Sequence, residues 1–341
     1  MNFFCPASPA IARHRCRWLG LLVLAAGLMG CGEAGNPSLT TLAIPPEPGT
    51  QPAITAARPK IALVMKTRTN PFFVSMENGA RRAERALGIE LLVTTASQET
   101  SIEQQIQVVD DLIKQGVDAL VIAPGDSQRL VPVLKKAADA GIKLVNIDNP
   151  LDPPTLVKAG LGNIPLVSVD NEKAAYAAVQ FIAQGARPNT QAAILEGIRS
   201  AHNAQHRLLG AKRAFAQHKA IQLVASESAN WRIDDAYRVT KDMFERHPDI
   251  QLLFTANDMM ALGALKYLQE SQRRTVKVAA CDALDEAVAE VRAGRLTVTV
   301  DQQAAEQGFQ GVALALRLLK GEPVPPVTLI ATRLISAAQV Q

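Results

Sequence analysis

The sequence lacks most of the features by which enzymes and nucleic-acid-binding proteins are recognised. We find no nucleophile motif, no phosphate-binding loop and no metal-ligand set, and the pair His202 and His206 has no third partner. An enzyme, a cofactor or a metal centre is therefore not predicted. The net charge is +4, but several cationic residues fall within the first 20 positions, so the remainder is nearly balanced. This balance does not indicate a nucleic-acid-binding surface.

The apolar segment near the N-terminus is too short to span a bilayer comfortably. It reads WLGLLVLAAGLMG over residues 18–30, follows a cluster of arginines and ends at Cys31. This arrangement predicts a signal peptide over residues 1–30 and not an anchor helix. The stretch LMGC, residues 28–31, resembles the bacterial lipobox, which makes Cys31 the predicted lipidation site. An ordinary secretory signal that is cleaved elsewhere is the alternative.

Cysteine is scarce, with four residues in the whole chain. If Cys5 and Cys16 leave with the signal and Cys31 carries lipid, only Cys281 remains as a thiol, so no structural disulfide is expected. Residues 31–58 repeat proline among small and polar residues without a sustained period. We interpret them as a flexible tether to a membrane surface.

From Lys60 onward, short apolar runs alternate with helical patterns. The runs include KIALVM, VDALVIA, IKLVNID, AAILEG and IQLLFTA. Nearly continuous apolar strands between helices are typical of parallel sheets that are covered on both faces. About ten such alternations exceed what one open sheet normally holds. The sequence therefore predicts an α/β fold with two doubly wound, Rossmann-like domains.

The clearest helical pattern begins in the turn KTRTNPFF, residues 66–73. Asn70 and Pro71 suit the N-cap and the first helical position. Apolar residues recur every three or four positions from Phe73 onward, which places Phe73 on a buried face. Phe72 lies outside this stripe although only 4% of the residues are aromatic, so we expect its ring to face a ligand cleft.

Polar and aromatic residues follow several of the predicted strands, where ligands bind in open α/β sheets. They are Lys66, Asn70, Phe72, Phe73, Asp148, Asn149, Trp231, Asn257, Asp258, Cys281, Asp282, Asp301 and Gln302. Carboxylates and amides can satisfy sugar hydroxyls, and aromatic rings can cover the C–H faces of a sugar. Alternatively, Asp148 and Asp282 cap the following helices, Asp258 is a cap or first-turn charge, and Trp231 is ordinary core.

These motifs resemble those of the ribose-type periplasmic sugar-binding proteins of ABC importers. The resemblance rests on NPFF at 70–73, TANDMMALGAL at 255–265 and LKGEPV at 319–324, and it covers nearly all of residues 59–335. It implies a type I periplasmic binding protein fold with a three-stranded hinge and a monosaccharide closed between two lobes. Lobe 1 would comprise residues 59–169 and 303–331, and lobe 2 residues 170–302 and 332–341.

The resemblance also implies a set of ligand-binding residues and departures from it. The matching positions are Asn70, Phe72, Phe73 and Asp148 in lobe 1, Trp231, Asn257 and Asp282 in lobe 2, and Gln302 in the hinge. Lys66, Asn149 and Gln205 are also predicted to bind the ligand, because they occupy positions where ribose binders have a serine and two arginines. Cys281 stands where ribose binders have phenylalanine. These differences argue against ribose itself. Arabinose-type relatives do have a lysine at the position of Lys66, so both a neutral and an acidic sugar remain open.

The resemblance predicts a solute-binding protein that captures a monosaccharide or polyol by hinge closure. The protein would be a lipid-anchored monomer in the periplasm or another extracytoplasmic space, and it would deliver the sugar to an ABC permease and its ATPase. A sugar sensor that feeds a chemoreceptor or a sensor kinase is the alternative. A repressor with the same core is disfavoured, because the N-terminus carries a signal and a tether in place of a DNA-binding helix-turn-helix.

Overall fold

The computed structural model describes residues 58–162 and 164–340. The predicted signal peptide, the lipidation site Cys31 and the predicted tether up to residue 57 lie outside the described residues. Within the described part of the chain, no helix combines the length and apolar character needed to cross a membrane.

Strands and helices alternate along the described chain. The strands are β1 Lys60–Met65, β2 Glu90–Thr95, β3 Ala119–Ile122, β4 Lys143–Ile147, β5 Leu166–Ser168, β6 Thr190–Glu196, β7 Ile221–Ser228, β8 Ile250–Thr255, β9 Lys277–Ala279, β10 Val298–Asp301, β11 Val327–Leu329 and β12 Arg333–Ser336. The helices are α1 Pro71–Leu87, α2 Ile102–Gln115, α3 Val131–Asp139, α4 Pro153–Lys158, α5 Asn171–Ala183, α6 His202–Ala216, α7 Ile233–Arg246, α8 Asp258–Glu270, α9 Asp285–Arg292, α10 Ala304–Leu319 and α11 Ala337–Val340.

The strands form two six-stranded sheets, as the alternation of apolar runs predicts. The first sheet has the order β11-β5-β4-β3-β1-β2 and is parallel throughout. The second has the order β12-β10-β9-β8-β6-β7 and is parallel except for the pair β10 and β12. Central strands are buried along most of their length, as in β1, where Ile61 to Met65 are fully buried. The predicted α/β class with two doubly wound sheets is confirmed.

The chain passes between the two sheets three times. These passages lie between β5 and α5, between β10 and α10, and between β11 and β12. The segment 149–165, which interrupts the alternation in the sequence, contains the short helix α4, and the side chain of Asp152 accepts a hydrogen bond from the Thr155 N–H at 2.9 Å.

Two glycines allow α1 and α10 to pack in very close contact. A Cβ atom on Gly79 would lie 1.7 Å from the carbonyl oxygen of Ala305, and one on Gly308 would lie 2.1 Å from that of Met76. Any side chain at these positions would force the helices apart. The contact fixes the start of α1, which carries Phe72 and Phe73, beside the helix that follows the second passage between the sheets.

Candidate ligand-binding site

A cavity lies between the carboxyl ends of the two sheets. Elements of the first sheet contribute Lys66, Asn70, Phe72, Phe73, Glu99 and Asp148 to its lining. Elements of the second sheet contribute Asn203, Arg207, Trp231, Asn257, Asp282 and Gln302. The structure therefore brings together all the residues predicted as ligand-binding except Asn149 and Gln205.

The turn before α1 places two aromatic rings at one wall of the cavity. The Asn70 side chain accepts a hydrogen bond from the Phe72 N–H at 3.0 Å, as expected for an N-cap, and its amide donates to Glu99 Oε1 at 2.9 Å. Phe72 and Phe73 pack edge to face with their ring centroids 5.2 Å apart. Both side chains are almost fully buried. Phe73 thus belongs to the buried stripe of α1 and lines the cavity as well.

Lys66 and Asp148 form an ion pair in the part of the cavity lining that the first sheet contributes. Lys66 Nζ lies 2.8 Å from Asp148 Oδ2, and the two side chains are only 3% and 4% exposed. Lys66 Nζ also lies 5.5 Å from the centre of the Phe73 ring. Because its charge already has a buried partner, Lys66 offers little free positive charge to an acidic ligand. This geometry favours a neutral ligand.

Arg207 is a cavity residue that sequence reasoning missed. Its guanidinium donates to Asn171 Oδ1 at 2.8 Å, to the Ala256 carbonyl at 2.6 Å and to Gln302 Oε1 at 2.6 Å. Nη1 lies 3.7 Å from Asp282 Oδ1. Arg207 is 3% exposed, so it is a buried cation whose three charge-assisted hydrogen bonds join elements of the second wall.

A sequence signal for Arg207 did exist. Arg207 lies four residues after Asn203 and four before Ala211, so the three residues share one helical face. Both Asn203 and Arg207 line the cavity, and all three residues are buried. An arginine within an apolar stripe is unusual enough to mark an inward-facing functional side chain. The resemblance to ribose binders predicts Gln205 on the same helix, but this side chain faces away from the cavity.

Glu99 and Asn203 are the other cavity residues that the predicted set lacks. Glu99 follows β2 at the same edge as that set. Its carboxylate accepts the hydrogen bond from Asn70 and lines the cavity, while the residue remains partly exposed. Burial of the carboxyl group raises the pKa of Glu99 above its usual value, against the opposing effects of the Lys66 charge and the Asn70 hydrogen bond. The sequence does contain a signal for Glu99. In open α/β sheets ligands bind beyond the carboxyl ends of strands, and Glu99 lies four residues after the end of β2.

Three cavity residues have backbone conformations that L-amino acids rarely adopt. The φ angles are +63° at Asp148, +65° at Trp231 and +131° at Asp282. Such conformations cost free energy and persist where surrounding contacts hold them, most often at functional sites. At Trp231 the ring lies directly over Gly197, where a Cβ atom would come within 2.1 Å of it. Glycine at position 197 therefore leaves the space that the indole occupies.

Asp282 is held by the residue that follows β10. Gln302 Nε2 donates a hydrogen bond to Asp282 Oδ1. Burial raises the pKa of Asp282 well above its usual value, the Arg207 charge opposes the rise, and the neighbouring carboxyl of Asp258 adds to it. Asn257 combines two roles, since it lines the cavity and also caps α8 by accepting from the Met260 N–H at 2.9 Å.

Asp258 and Cys281 lie outside the cavity lining. The Asp258 carboxylate is fully buried in the first turn of α8 and accepts hydrogen bonds from the Thr299 hydroxyl at 2.7 Å and the Leu284 N–H at 2.8 Å. Burial raises the pKa of Asp258 to about 7. The thiol of Cys281 is also fully buried, which raises its pKa to about 12. Through these hydrogen bonds Asp258 stabilises the segment that contains Asp282, and its side chain does not line the cavity.

Asn149 and Gln205 are the predicted ligand-binding residues that the structure does not bring to the cavity. Asn149 is buried but its amide donates to the Pro124 carbonyl at 2.9 Å, and its Oδ1 accepts from the Asn203 N–H at 3.0 Å. Gln205 is exposed on the outer face of α6 and donates to the Arg199 carbonyl at 2.8 Å. The prediction that these two residues contact the ligand is therefore not supported by their positions.

Comparisons with known proteins agree with this geometry. Residues 61–323 match the family described as periplasmic binding protein domain. The chain is 41% identical over 273 residues to the D-ribose/D-allose-binding protein of Pseudomonas aeruginosa, covering 79% of this chain and 85% of that protein. It is 33% identical to the D-allose-binding periplasmic protein of Escherichia coli, covering 80% of this chain and 88% of that protein.

Solved structures give the same result. A periplasmic solute-binding protein of an ABC transporter from Actinobacillus succinogenes, crystallised with bound D-allose, superposes with a TM-score of 0.79 at 34% identity, covering 83% of this chain and 99% of that one. A solute-binding protein of an ABC transporter from Burkholderia multivorans has a TM-score of 0.78 at 35% identity, covering 82% of this chain and all of that one. The chain therefore belongs to the periplasmic binding protein family, as its sequence motifs predict.

Proposed function

We propose that the protein captures a neutral monosaccharide in the cavity between its two sheets and delivers it to an ABC permease. The observation that carries this proposal is a buried polar cavity whose walls leave hydrogen-bonding atoms free. Asn203 Oδ1 and Trp231 Nε1 line it, are buried, and have no hydrogen-bond partner among the described residues. A buried polar atom without a partner costs about 1–3 kcal/mol, which a hydroxylated ligand would recover.

The charge of the cavity supports a neutral ligand. The buried cations Lys66 and Arg207 already lie next to Asp148 and Asp282. A sugar of one ring needs no net charge in the site, and the edge-to-face rings of Phe72 and Phe73 offer an apolar surface for its C–H groups.

D-Allose and D-ribose are the first ligands to test, because the names of similar proteins specify these two sugars. The alternative of a sugar acid would require Lys66 to exchange Asp148 for the ligand carboxylate. Breaking a buried ion pair is costly, so we place the neutral sugars first.

Capture proceeds by closure of lobe 1, residues 59–169 and 303–331, against lobe 2, residues 170–302 and 332–341. The three passages between the sheets act as the hinge. A ligand that touches both lobes stabilises the closed form by the difference between its affinities for the closed and open forms. We further propose that the protein works in the periplasm and is anchored through lipid on Cys31.

The test is a thermal-shift screen of the protein without residues 1–31. We expect D-allose or D-ribose to raise the unfolding temperature, because a ligand present at 100 times its Kd adds about 2.7 kcal/mol to the stability of the native state. Pentoses, other hexoses, polyols and sugar acids complete the panel. Failure of every sugar and polyol to stabilise the protein would overturn the proposal. A sugar acid that binds better than any neutral sugar would overturn the assignment of ligand charge.

A matched variant locates the binding. Asp282→Asn keeps the shape of a cavity residue but replaces its carboxyl group by an amide, and it should abolish or strongly reduce the shift that the best sugar causes. Asp285→Asn changes an exposed carboxylate in the first turn of α9 and should leave the shift unchanged. Incubation of the sugar with the protein, followed by chromatography of the released ligand, tests the binding role, which predicts recovery of the sugar intact.

A further inference from the structure

The first turn of α6 lacks a capping side chain of its own. Ala201 occupies its N-cap position and makes no side-chain hydrogen bond. By contrast, α1, α5 and α8 begin after Asn70, Asp170 and Asn257, each of which accepts a hydrogen bond from the first turn. The first N–H groups of a helix have no partner within the helix and must find one elsewhere.

In α6 these N–H groups are capped by side chains that extend from the other sheet. The His202 N–H donates to Ser127 Oγ at 3.0 Å, and the Asn203 N–H donates to Asn149 Oδ1 at 3.0 Å. Ser127 follows β3 and Asn149 follows β4, so both acceptors belong to the first sheet. Helix α6 therefore receives its cap from the other sheet, across the cleft.

The two acceptors are rigidly held and buried. Asn149 Nδ2 donates to the Pro124 carbonyl at 2.9 Å and to Ser127 Oγ at 3.2 Å, and the Asn146 amide donates to the Asn149 carbonyl at 2.9 Å. Both Ser127 and Asn149 are fully buried. Because they are positioned before closure, forming the cap orders few additional side chains.

Two further contacts join the same segments. The Ser127 N–H donates to the Ser200 carbonyl at 3.2 Å. His202 Nε2 lies 3.3 Å from Asp152 Oδ1, next to the start of α4. Neither Ser127 nor Asn149 lines the cavity, so this set of contacts lies beside the ligand site.

We propose that Ser127 and Asn149 are positioning residues that cap α6 in the closed form and so set the equilibrium between open and closed lobes. They raise the affinity for every ligand by the same factor and do not select among sugars. This inference rests on the proposed capture by closure. When the lobes open, water replaces both acceptors, and each lost cap lowers the closed-to-open ratio about fivefold.

The test compares Ser127→Ala, Asn149→Ala and the double variant with the wild type. Each single variant should bind the best sugar about fivefold more weakly, and the ratio of affinities for two different sugars should stay constant. Glu84→Ala is the matched control, since it removes a similar bond, from the Leu91 N–H to Glu84 Oε1 at 3.0 Å, within one lobe. It should lower the unfolding temperature without changing affinity.

Two outcomes would overturn the inference. If Asn149→Ala changes the ratio of affinities for two sugars, then Asn149 contacts the ligand. The closed-to-open ratio governs affinity where the open form predominates without sugar, and it governs the radius of gyration where the closed form predominates. Small-angle X-ray scattering without any sugar therefore completes the test. If both single variants bind as tightly as the wild type and the double variant also keeps the wild-type radius of gyration, the cap does not control closure. Failure of the wild type to bind any sugar would contradict only the proposed function.

Discussion

Replacing Lys66 by methionine should destabilise the protein strongly even without ligand. Lys66 and Asp148 are 3% and 4% exposed and lie 2.8 Å apart. Among the described residues, Asp148 Oδ2 has no hydrogen-bond partner that would compensate for loss of the ammonium. The methionine side chain is about as long as that of lysine, so the substitution leaves no empty space. It does leave the buried carboxylate of Asp148 without a positive partner.

The size of the expected loss of stability follows from the burial of the ion pair. Removing one partner of a buried ion pair typically costs about 3–5 kcal/mol. For domains of roughly 150–250 residues, 1 kcal/mol shifts the unfolding temperature by about 2–4 °C, so we expect a decrease of roughly 6–20 °C. The double variant Lys66→Met/Asp148→Asn should recover most of this loss, because it removes both charges. Asparagine also tolerates the positive φ of +63° at position 148.

The assay is thermal unfolding at pH 7 without sugar, followed by circular dichroism. Lys114→Met is the control. Lys114 forms an ion pair with Asp111, their side chains are 70% and 50% exposed, and such exposed pairs contribute at most about 1 kcal/mol to stability. The reasoning is wrong if Lys66→Met unfolds at the same temperature as the control. It is equally wrong if the double variant is no more stable than the single one.

Three shorter predictions concern the residues around the cavity. Burial raises the pKa of Asp258 to about 7, so the folded state holds a proton that the unfolded state loses near pH 4, and the free energy of unfolding should fall from about pH 4 to pH 7. Asp258→Asn should flatten this slope in urea titrations, and an unchanged slope would contradict the assignment. Gly197→Ala should displace the Trp231 ring, lower stability by about 1–3 kcal/mol and weaken sugar binding measured by calorimetry, whereas normal binding would count against the close contact. Gln205→Ala should change the Kd less than twofold, and a larger loss would return Gln205 to the binding site.

The architecture could be predicted because its signals are local. Nearly continuous apolar runs such as KIALVM at 60–65 indicate buried parallel strands, and the N-cap Asn70 with Pro71 marks the start of a helix without any tertiary information. The same locality explains why most of the cavity residues were found. Residues such as Lys66 and Asp282 directly follow strands, and parallel strands bring their carboxyl ends to one edge.

The positions of the remaining site residues depend on how helices pack against one another. Arg207 and Asn203 face the cavity because α6 packs closely on α5, where a Cβ on Gly210 would lie 2.1 Å from the Glu172 carbonyl oxygen. That contact fixes the rotation of α6, and no local pattern specifies it. Asn149 illustrates the reverse case, since it stands at a strand end but turns toward the first turn of α6.

The state of Cys281 has a practical consequence for measuring ligand binding. By sequence it is the only cysteine after residue 31, and its thiol is fully buried with a pKa raised to about 12. A thiol that is neither accessible nor ionised reacts slowly with maleimides. A single cysteine introduced on an exposed rim of the cleft would therefore carry a fluorophore at one defined position. The protein could serve as a reagentless optical sensor for its ligand without removal of the native cysteine.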